Sequence, residues 1–229
     1  MTTSDVSLRR PIRSFVRRDS RMTPAQQRAL NELWPRYGIE LSDALLDLNA
    51  LFGRDAPKML EIGFGNGDTL LALASANPQN DYLGAEVHRP GIGRLLHEVA
   101  ARELHNLRVI CVDVNDVFAR LAPASLAAVY LFFPDPWPKK RHHKRRLLQS
   151  TFAEVVRDRL IVSGQFYLAT DWEDYAVQML SVLSQVDGLE NVAGAGQYAA
   201  RPEARPLTRF ERRGQRLGHV VRDLIFEKR

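Results

Sequence analysis

The stretch Met59-Leu60-Glu61-Ile62-Gly63-Phe64-Gly65-Asn66-Gly67-Asp68 restricts the chain more than any other. An apolar run carries an acid near its end, three glycines come next at alternate positions, and a helical pattern opens at Thr69-Leu70-Leu71. That order describes a strand, a tight turn and the start of a helix. Glycines in such a turn allow positive φ and let a ligand approach main-chain N–H groups. The dinucleotide version reads G-x-G-x-x-G, whereas this one reads G-x-G-x-G, and a ligand-free structural turn would also fit. Glu61 narrows the choice. Its carboxylate would repel a pyrophosphate and attract an ammonium, which suits S-adenosylmethionine, a ligand with an α-amino group, a sulfonium and no phosphate.

From Lys58 onward, strand and helix patterns alternate. Strands are expected near 58–62, 82–86, 107–112, 127–132 and 164–169, and helices near 68–76, 90–104, 114–121, 144–160 and 171–184. This alternation means an α/β fold with a parallel sheet and helices on both faces. A last strand within 218–227 is expected antiparallel to its neighbour, after a loop at 188–206 rich in Gly, Ala and Pro. Ahead of this run, Thr23-Pro24-Ala25-Gln26 reads as a capped helix start, with the helix ending before Pro35. Ser42 to Phe52, closed by Gly53, is a second helix candidate.

The 229 residues suffice for one such domain, placed at 23–229. Residues 1–22 hold six arginines against two aspartates and read as a basic, mobile arm that can touch nucleic acid. The single Cys111 rules out an intrachain disulfide and fits a reducing compartment. The sequence has no signal-peptide pattern and no apolar run long enough for a membrane span, so a cytoplasmic protein without membrane contact is expected. Nothing in it separates a monomer from a homodimer.

Three acids fall where strands end. Glu86 lies about twenty residues past the glycine turn, a spacing at which an acid commonly accepts from ribose hydroxyls. Asp113 comes after the third strand, where it could accept from an adenine amino group. Alone, each could be a helix cap; with Glu61 they outline one adenosine pocket. The fourth strand leads into Phe132-Phe133-Pro134-Asp135-Pro136-Trp137-Pro138-Lys139. Its three prolines stiffen the loop and hold Asp135 at the rim, and Phe133 and Trp137 offer flat faces for a stacked base.

Lys139-Lys140-Arg141-His142-His143-Lys144-Arg145-Arg146 comes directly after, with six formal positive charges in eight residues. Beside such a loop, the cluster reads as a clamp on a phosphate backbone. The paired histidines lack a Cys cluster or a further spaced His, so no metal is expected.

Together these segments resemble the bacterial tRNA (guanine-N7-)-methyltransferase family. The likeness rests on Leu60 to Gly65, Gly84-Ala85-Glu86-Val87-His88, Leu131 to Trp137, Lys144-Arg145-Arg146, Ala169-Thr170-Asp171-Trp172-Glu173 and Thr208-Arg209-Phe210-Glu211, and it runs from about Ile12 to the C-terminus. It implies a Rossmann-like class I methyltransferase with a mostly parallel seven-stranded sheet, helices on both faces and an antiparallel C-terminal strand. The implied reaction moves the methyl group of S-adenosylmethionine to N7 of a guanosine in the tRNA variable loop. By the same likeness Glu61, Gly63, Gly65, Gly67, Glu86, Asp113 and Asp135 would line the cofactor site, with Asp135 catalytic. Lys139, Asp171, Thr208, Arg209, Phe210 and Glu211 would meet the substrate, and Arg141, His142, His143, Lys144, Arg145 and Arg146 the RNA backbone.

Other readings stay open at this level. A nicotinamide-dependent oxidoreductase is disfavoured by the G-x-G-x-G spacing and by Glu61. A non-catalytic RNA-binding protein on the same fold, or a methyltransferase acting on another RNA atom or on protein, would share much of the pattern.

Overall fold

The computed structural model describes residues 21–203, 205–207, 211, 218 and 220–229. The expected arm therefore lies almost wholly outside the described residues, as do Thr208, Arg209 and Phe210.

The first helix, α1 (Pro24–Tyr37), opens with the expected reciprocal cap: Thr23 Oγ1 accepts from the Gln26 N–H, and Gln26 Oε1 accepts from the Thr23 N–H. It does not end before Pro35. Proline forfeits one intrahelical bond, but Tyr37 is buried against the core, and the Gly38 N–H closes the last turn on the Trp34 carbonyl. Strand β1 (Gly38–Ile39) comes next. The helix expected from Ser42 is confined to α2 (Leu48–Phe52), started by Asp47 and closed by Gly53 at φ 71°. Ser42 to Leu46 is held away from helical geometry by Arg120, which donates to the Ser42 carbonyl, pairs with Asp43 and accepts the Leu46 N–H on its own carbonyl.

The alternating region then supplies β2 (Lys58–Ile62), α3 (Asp68–Ala76), β3 (Asp81–Ala85), α4 (Arg89–Ala101), β4 (Leu107–Ile110), α5 (Val114–Ala119) and β5 (Leu126–Phe132). After a 3₁₀ turn at Lys140–Arg145 come α6 (Ser150–Arg159), β6 (Leu160–Thr170), α7 (Glu173–Leu183), β7 (Leu189–Asn191) and β8 (Arg222–Lys228). The single helix expected over 144–160 is thus split, because Arg146 and Leu148 are buried between its halves.

Among the described residues the strands form one sheet in the order β1-β4-β3-β2-β5-β6-β8-β7, eight strands where the resemblance implied seven; the pattern alone shows six, since the short edge pieces β1 and β7 carry too few residues to register. β1 to β6 run parallel, and β8 is antiparallel to both its neighbours. The parallel strands end level: Ile62 pairs with Ala85 and Leu131, Ala85 with Ile110, and Leu131 with Leu168. The loops leaving these strands therefore meet at one edge, where open α/β sheets bind ligands. One face of the sheet packs under α5, α6 and α7 through Phe118, Phe152, Val156, Tyr175 and Met179. The other packs under α1, α3 and α4 through Leu30, Leu70, Ile92 and Leu95. Among the described residues, no helix is long and apolar enough to cross a membrane.

Candidate functional site

The turn between β2 and α3 has all three glycines in the left-handed region, Gly63 at φ 66°, Gly65 at 57° and Gly67 at 78°. A Cβ on Gly63 or Gly65 would meet nothing within 4 Å, so both glycines face open space, whereas one on Gly67 would lie 2.7 Å from Leu95. Two glycines thus leave open backbone and the third is also fixed by packing. The turn is held from outside: Arg94 Nη1 donates to the Asn66 carbonyl at 2.9 Å and to Asp68 at 2.7 Å. Gly91, in the first turn of α4, touches the turn so closely that an added Cβ would lie 1.9 Å from the Gly65 oxygen. No motif in the sequence marks Arg94 or Gly91. The available signal is a helix opening on Pro90-Gly91-Ile92-Gly93, where two glycines cost helix propensity with no turn to justify them.

Glu61 is buried, and its Oε2 has no hydrogen-bond partner among the described residues. Burial, then the charges of Glu86 and Asp68, push its carboxyl up to about 8 from an ordinary 4.5. A buried carboxylate with an unmet oxygen next to the open glycine turn suits a cationic group. Beside it in the sheet stands Tyr130, whose phenol is kept neutral by burial. Glu86, just past β3, accepts three backbone N–H groups, Gly65 on Oε2 at 2.7 Å and Val87 and His88 on Oε1 at 2.7 and 2.9 Å. It therefore ties the glycine turn to the β3–α4 connection and keeps room for about one further donor. Asp113 caps α5, accepting the backbone and side-chain N–H of Asn115 on Oδ1 alone. The cap reading and the pocket reading of these acids are thus compatible.

Past β5, the Phe133 N–H donates to the Ala169 carbonyl at 2.7 Å, fixing where the loop departs. Phe133 (φ 51°) and Trp137 (φ 46°) both take left-handed backbone, a strained state for aromatic residues, and they bracket Pro134-Asp135-Pro136. Asp135 is exposed on the crest between them. The aromatic faces expected to be open each carry a cation: the Arg145 guanidinium lies 4.9 Å from the Trp137 ring centre, and that of Arg205 lies 5.6 Å from Phe133 and 5.7 Å from Phe132. Thr170 Oγ1 accepts the Trp172 N–H, shaping the turn that carries Asp171 at the end of β6.

The basic stretch divides in two. Lys139 caps the 3₁₀ turn, and none of Lys140 to Arg145 is buried. His142 is held below its ordinary titration range, by desolvation and then by Arg141 and Arg145. Arg146 stands apart from the cations expected to form the RNA clamp. Its side chain is 1% exposed and pairs with Asp174.

Glu211, expected to meet substrate, is buried in a two-pronged pair with Arg205, Nη1 to Oε2 at 2.7 Å and Nη2 to Oε1 at 3.0 Å. Arg205 also reaches Asp223 on β8 at 3.1 Å. The sequence alone does not single out this arginine, because a charge count does not tell a buried cation from a solvated one. Replacing it by alanine would take the buried guanidinium away from two buried carboxylates. Arg205→Ala is expected to lose roughly 3–5 kcal/mol, lowering the melting temperature by roughly 6–20 °C. A calorimetric scan with an unshifted midpoint would show the cluster to be energetically idle.

Among the described residues, no group of three or more His, Cys, Asp or Glu side chains is placed to hold a metal ion. What the sheet edge does assemble is an open glycine turn with buried acids, a stiff loop presenting a carboxylate, and an exposed cationic turn.

Comparison with known proteins matches residues 55–224 to a family profile described as "Putative methyltransferase". The tRNA (guanine-N(7)-)-methyltransferase of Hydrogenovibrio crunogenus is 56% identical over 96% of this chain and 92% of its own length. That of Nitrosospira multiformis is 57% identical over 96% of both chains. Among solved structures, the 16S rRNA methyltransferase KamB superposes with a TM-score of 0.61 over 83% of this chain and 96% of its own, at 18% identity. The aminoglycoside resistance methyltransferase NpmB1 does so with a TM-score of 0.53 over 81% and 94%, at 17% identity. At those identities the two structures speak for the fold, a Rossmann-like class I methyltransferase.

Proposed function

The chain belongs to the tRNA (guanine-N7-)-methyltransferase family, and from that premise we propose that it transfers the methyl group of S-adenosylmethionine to N7 of a guanosine in the tRNA variable loop. The observation that carries this reading is the level sheet edge, which brings Glu61, Glu86, Asp113, Asp135 and Asp171 to one rim from five neighbouring parallel strands. A tRNA substrate and a lone cysteine both support a cytoplasmic reaction.

S-adenosylmethionine supplies an activated methyl group when bound. Glu61 would meet its positive charge, the backbone at Gly63 and Gly65 would leave it room, and Glu86 and Asp113 would accept from its adenosine. Guanine N7 carries an in-plane lone pair, so no proton has to leave before it reacts. The protein's task is to hold the base edge-on and offset the positive charge that grows on the ring, which suits Asp135 as an electrostatic partner. Recognition must leave N7 open, so the base is read through its N1–H and N2 amino donors. Of the acceptors available, Glu211 is taken up by Arg205, and Asp171 stands on the sheet edge. The exposed cations from Lys139 to Arg145 meet the phosphate backbone.

The decisive experiment incubates the protein with radiolabelled S-adenosylmethionine and an unmodified tRNA transcript, then maps 7-methylguanosine by borohydride–aniline cleavage. Label and cleavage at the variable-loop guanosine are expected. Label without cleavage there would overturn the choice of atom, and cofactor binding without label would favour a non-catalytic RNA-binding protein.

Glu61 gives this reading a proton signature. Its carboxyl is raised to about 8 in the cofactor-free fold, above the 4.5 of an unfolded chain. The stability of that form therefore falls as pH rises from 4.5 towards 8, where ionised Glu61 lacks a partner. A cationic ligand reverses the preference, so binding between those limits releases a proton and tightens with rising pH until about 8. Titration calorimetry in buffers of different ionisation enthalpy reads the release directly. Glu61→Gln should abolish it, and a wild type that binds with no proton exchange at pH 6.5 contradicts the assignment.

A further inference from the structure

We infer that Arg146 is a positioning residue that sets the gap between Asp135 and Asp171, the two acids to which the proposed reaction assigns the target base, by bracing the loop after β5 against the first turns of α7. Its Nε donates to the Pro136 carbonyl at 2.9 Å, directly after Asp135. Its Nη1 donates to Gln178 Oε1 at 2.5 Å and its Nη2 to Asp174 Oδ2 at 2.5 Å, both on α7. The guanidinium lies 4.8 Å from the Tyr175 ring centre, and His143 Nε2 stands 3.1 Å from Nη2.

Asp135 is thereby held between two fixed points, the Phe133 N–H on the Ala169 carbonyl and the Pro136 carbonyl on Arg146. The far end of the brace, Asp174, lies in the first turn of α7, three residues past Asp171. Its carboxyl is held below the ordinary range, first by the hydrogen bond from Arg146. A planar fork with several fixed donors can bridge a carbonyl, an amide and a carboxylate at set angles, and a lysine cannot. Bracing by a fixed fork is also consistent with the strained backbone at Phe133 and Trp137, which persists only where surrounding contacts over-determine it.

The inference rests on the proposed methyl transfer to tRNA, and its test separates the two. Full-length wild type, Arg146→Ala, Arg146→Lys and Arg145→Ala would be compared for kcat, KM for tRNA, S-adenosylmethionine affinity and the salt dependence of tRNA binding. Arg146→Ala is expected to lose about 10- to 100-fold in kcat through a misplaced loop. Its tRNA KM, cofactor affinity and salt slope should stay near wild type, and Arg146→Lys should restore little. Arg145→Ala should instead lower the slope by about 0.7–0.9. A loss of tRNA affinity with a reduced slope in Arg146→Ala, rescued by lysine, would make Arg146 a phosphate contact and overturn the brace. Where Arg146→Ala does not fold, Asp174→Ala with Gln178→Leu detaches the α7 end and carries the same expectation. Should wild type itself transfer no methyl group, the functional reading fails, and the brace is judged by hydrogen exchange. Faster exchange across residues 133–139 in Arg146→Ala supports it, and unchanged exchange overturns it.

Discussion

Asp135→Asn should slow methyl transfer by about 100- to 1,000-fold, the range found when one preorganised electrostatic group is removed from a transition state. The substitution keeps the shape, removes the charge and turns one acceptor oxygen into an amide donor. If Asp135 acts by offsetting positive charge on the purine ring, asparagine should be almost as poor as alanine. The chemistry calls for no general base, because N7 has no proton to lose. Affinity for tRNA should hold or tighten slightly, since the lost charge is negative and the ligand is a polyanion. Single-turnover rates with saturating cofactor separate the chemical step from binding. A wild-type rate for Asp135→Asn would remove the electrostatic role and leave the loop a purely steric one.

How far the sequence discloses this arrangement depends on whether a feature is written locally. The strand at Lys58–Ile62 and the helix at Asp68–Ala76 are legible to the residue, because apolar runs and alternate glycines signal both ends of each. The parallel sheet is implied by alternation alone, and the level strand ends by the sheet. Features decided by distant partners are not legible. Pro35 reads as a stop, but burial of Tyr37 carries α1 past it. Ser42 reads as a helix start, but Arg120 holds that segment from 78 positions away. Arg146 is indistinguishable from its neighbours in a run of cations, and only tertiary structure shows that it faces inward while Arg145 lies over Trp137. Glu211 is the same case with opposite sign: an acid in a family-like motif reads as a ligand contact until Arg205 is seen to claim it. Function is legible in the motifs, whereas the supports that hold those motifs in place are not.

Gly91→Ala separates a support from the motif it supports. Gly91 does not adopt positive φ, so its backbone makes no demand for glycine, and alanine should favour α4 by about 1 kcal/mol. The obstacle lies across the gap, where the new methyl would sit 1.9 Å from the Gly65 oxygen and 2.9 Å from its carbonyl carbon. The turn cannot retreat and keep the 2.7 Å bond from the Gly65 N–H to Glu86. A hydrogen bond to a charged group contributes about 1.5–3 kcal/mol, so losing it should weaken cofactor binding by about 10- to 100-fold. The expected signature is therefore a melting temperature lowered by roughly 1–8 °C, since the gain in helix propensity offsets only part of the lost bond, together with poor binding of S-adenosylmethionine. Gly65→Ala reaches the same turn through its own backbone, strained at φ 57°. Calorimetric titration and thermal melts on the two variants read both effects. Wild-type affinity in Gly91→Ala would mean that the glycine turn is free to move, and that Glu86 does not hold it in the shape the cofactor needs.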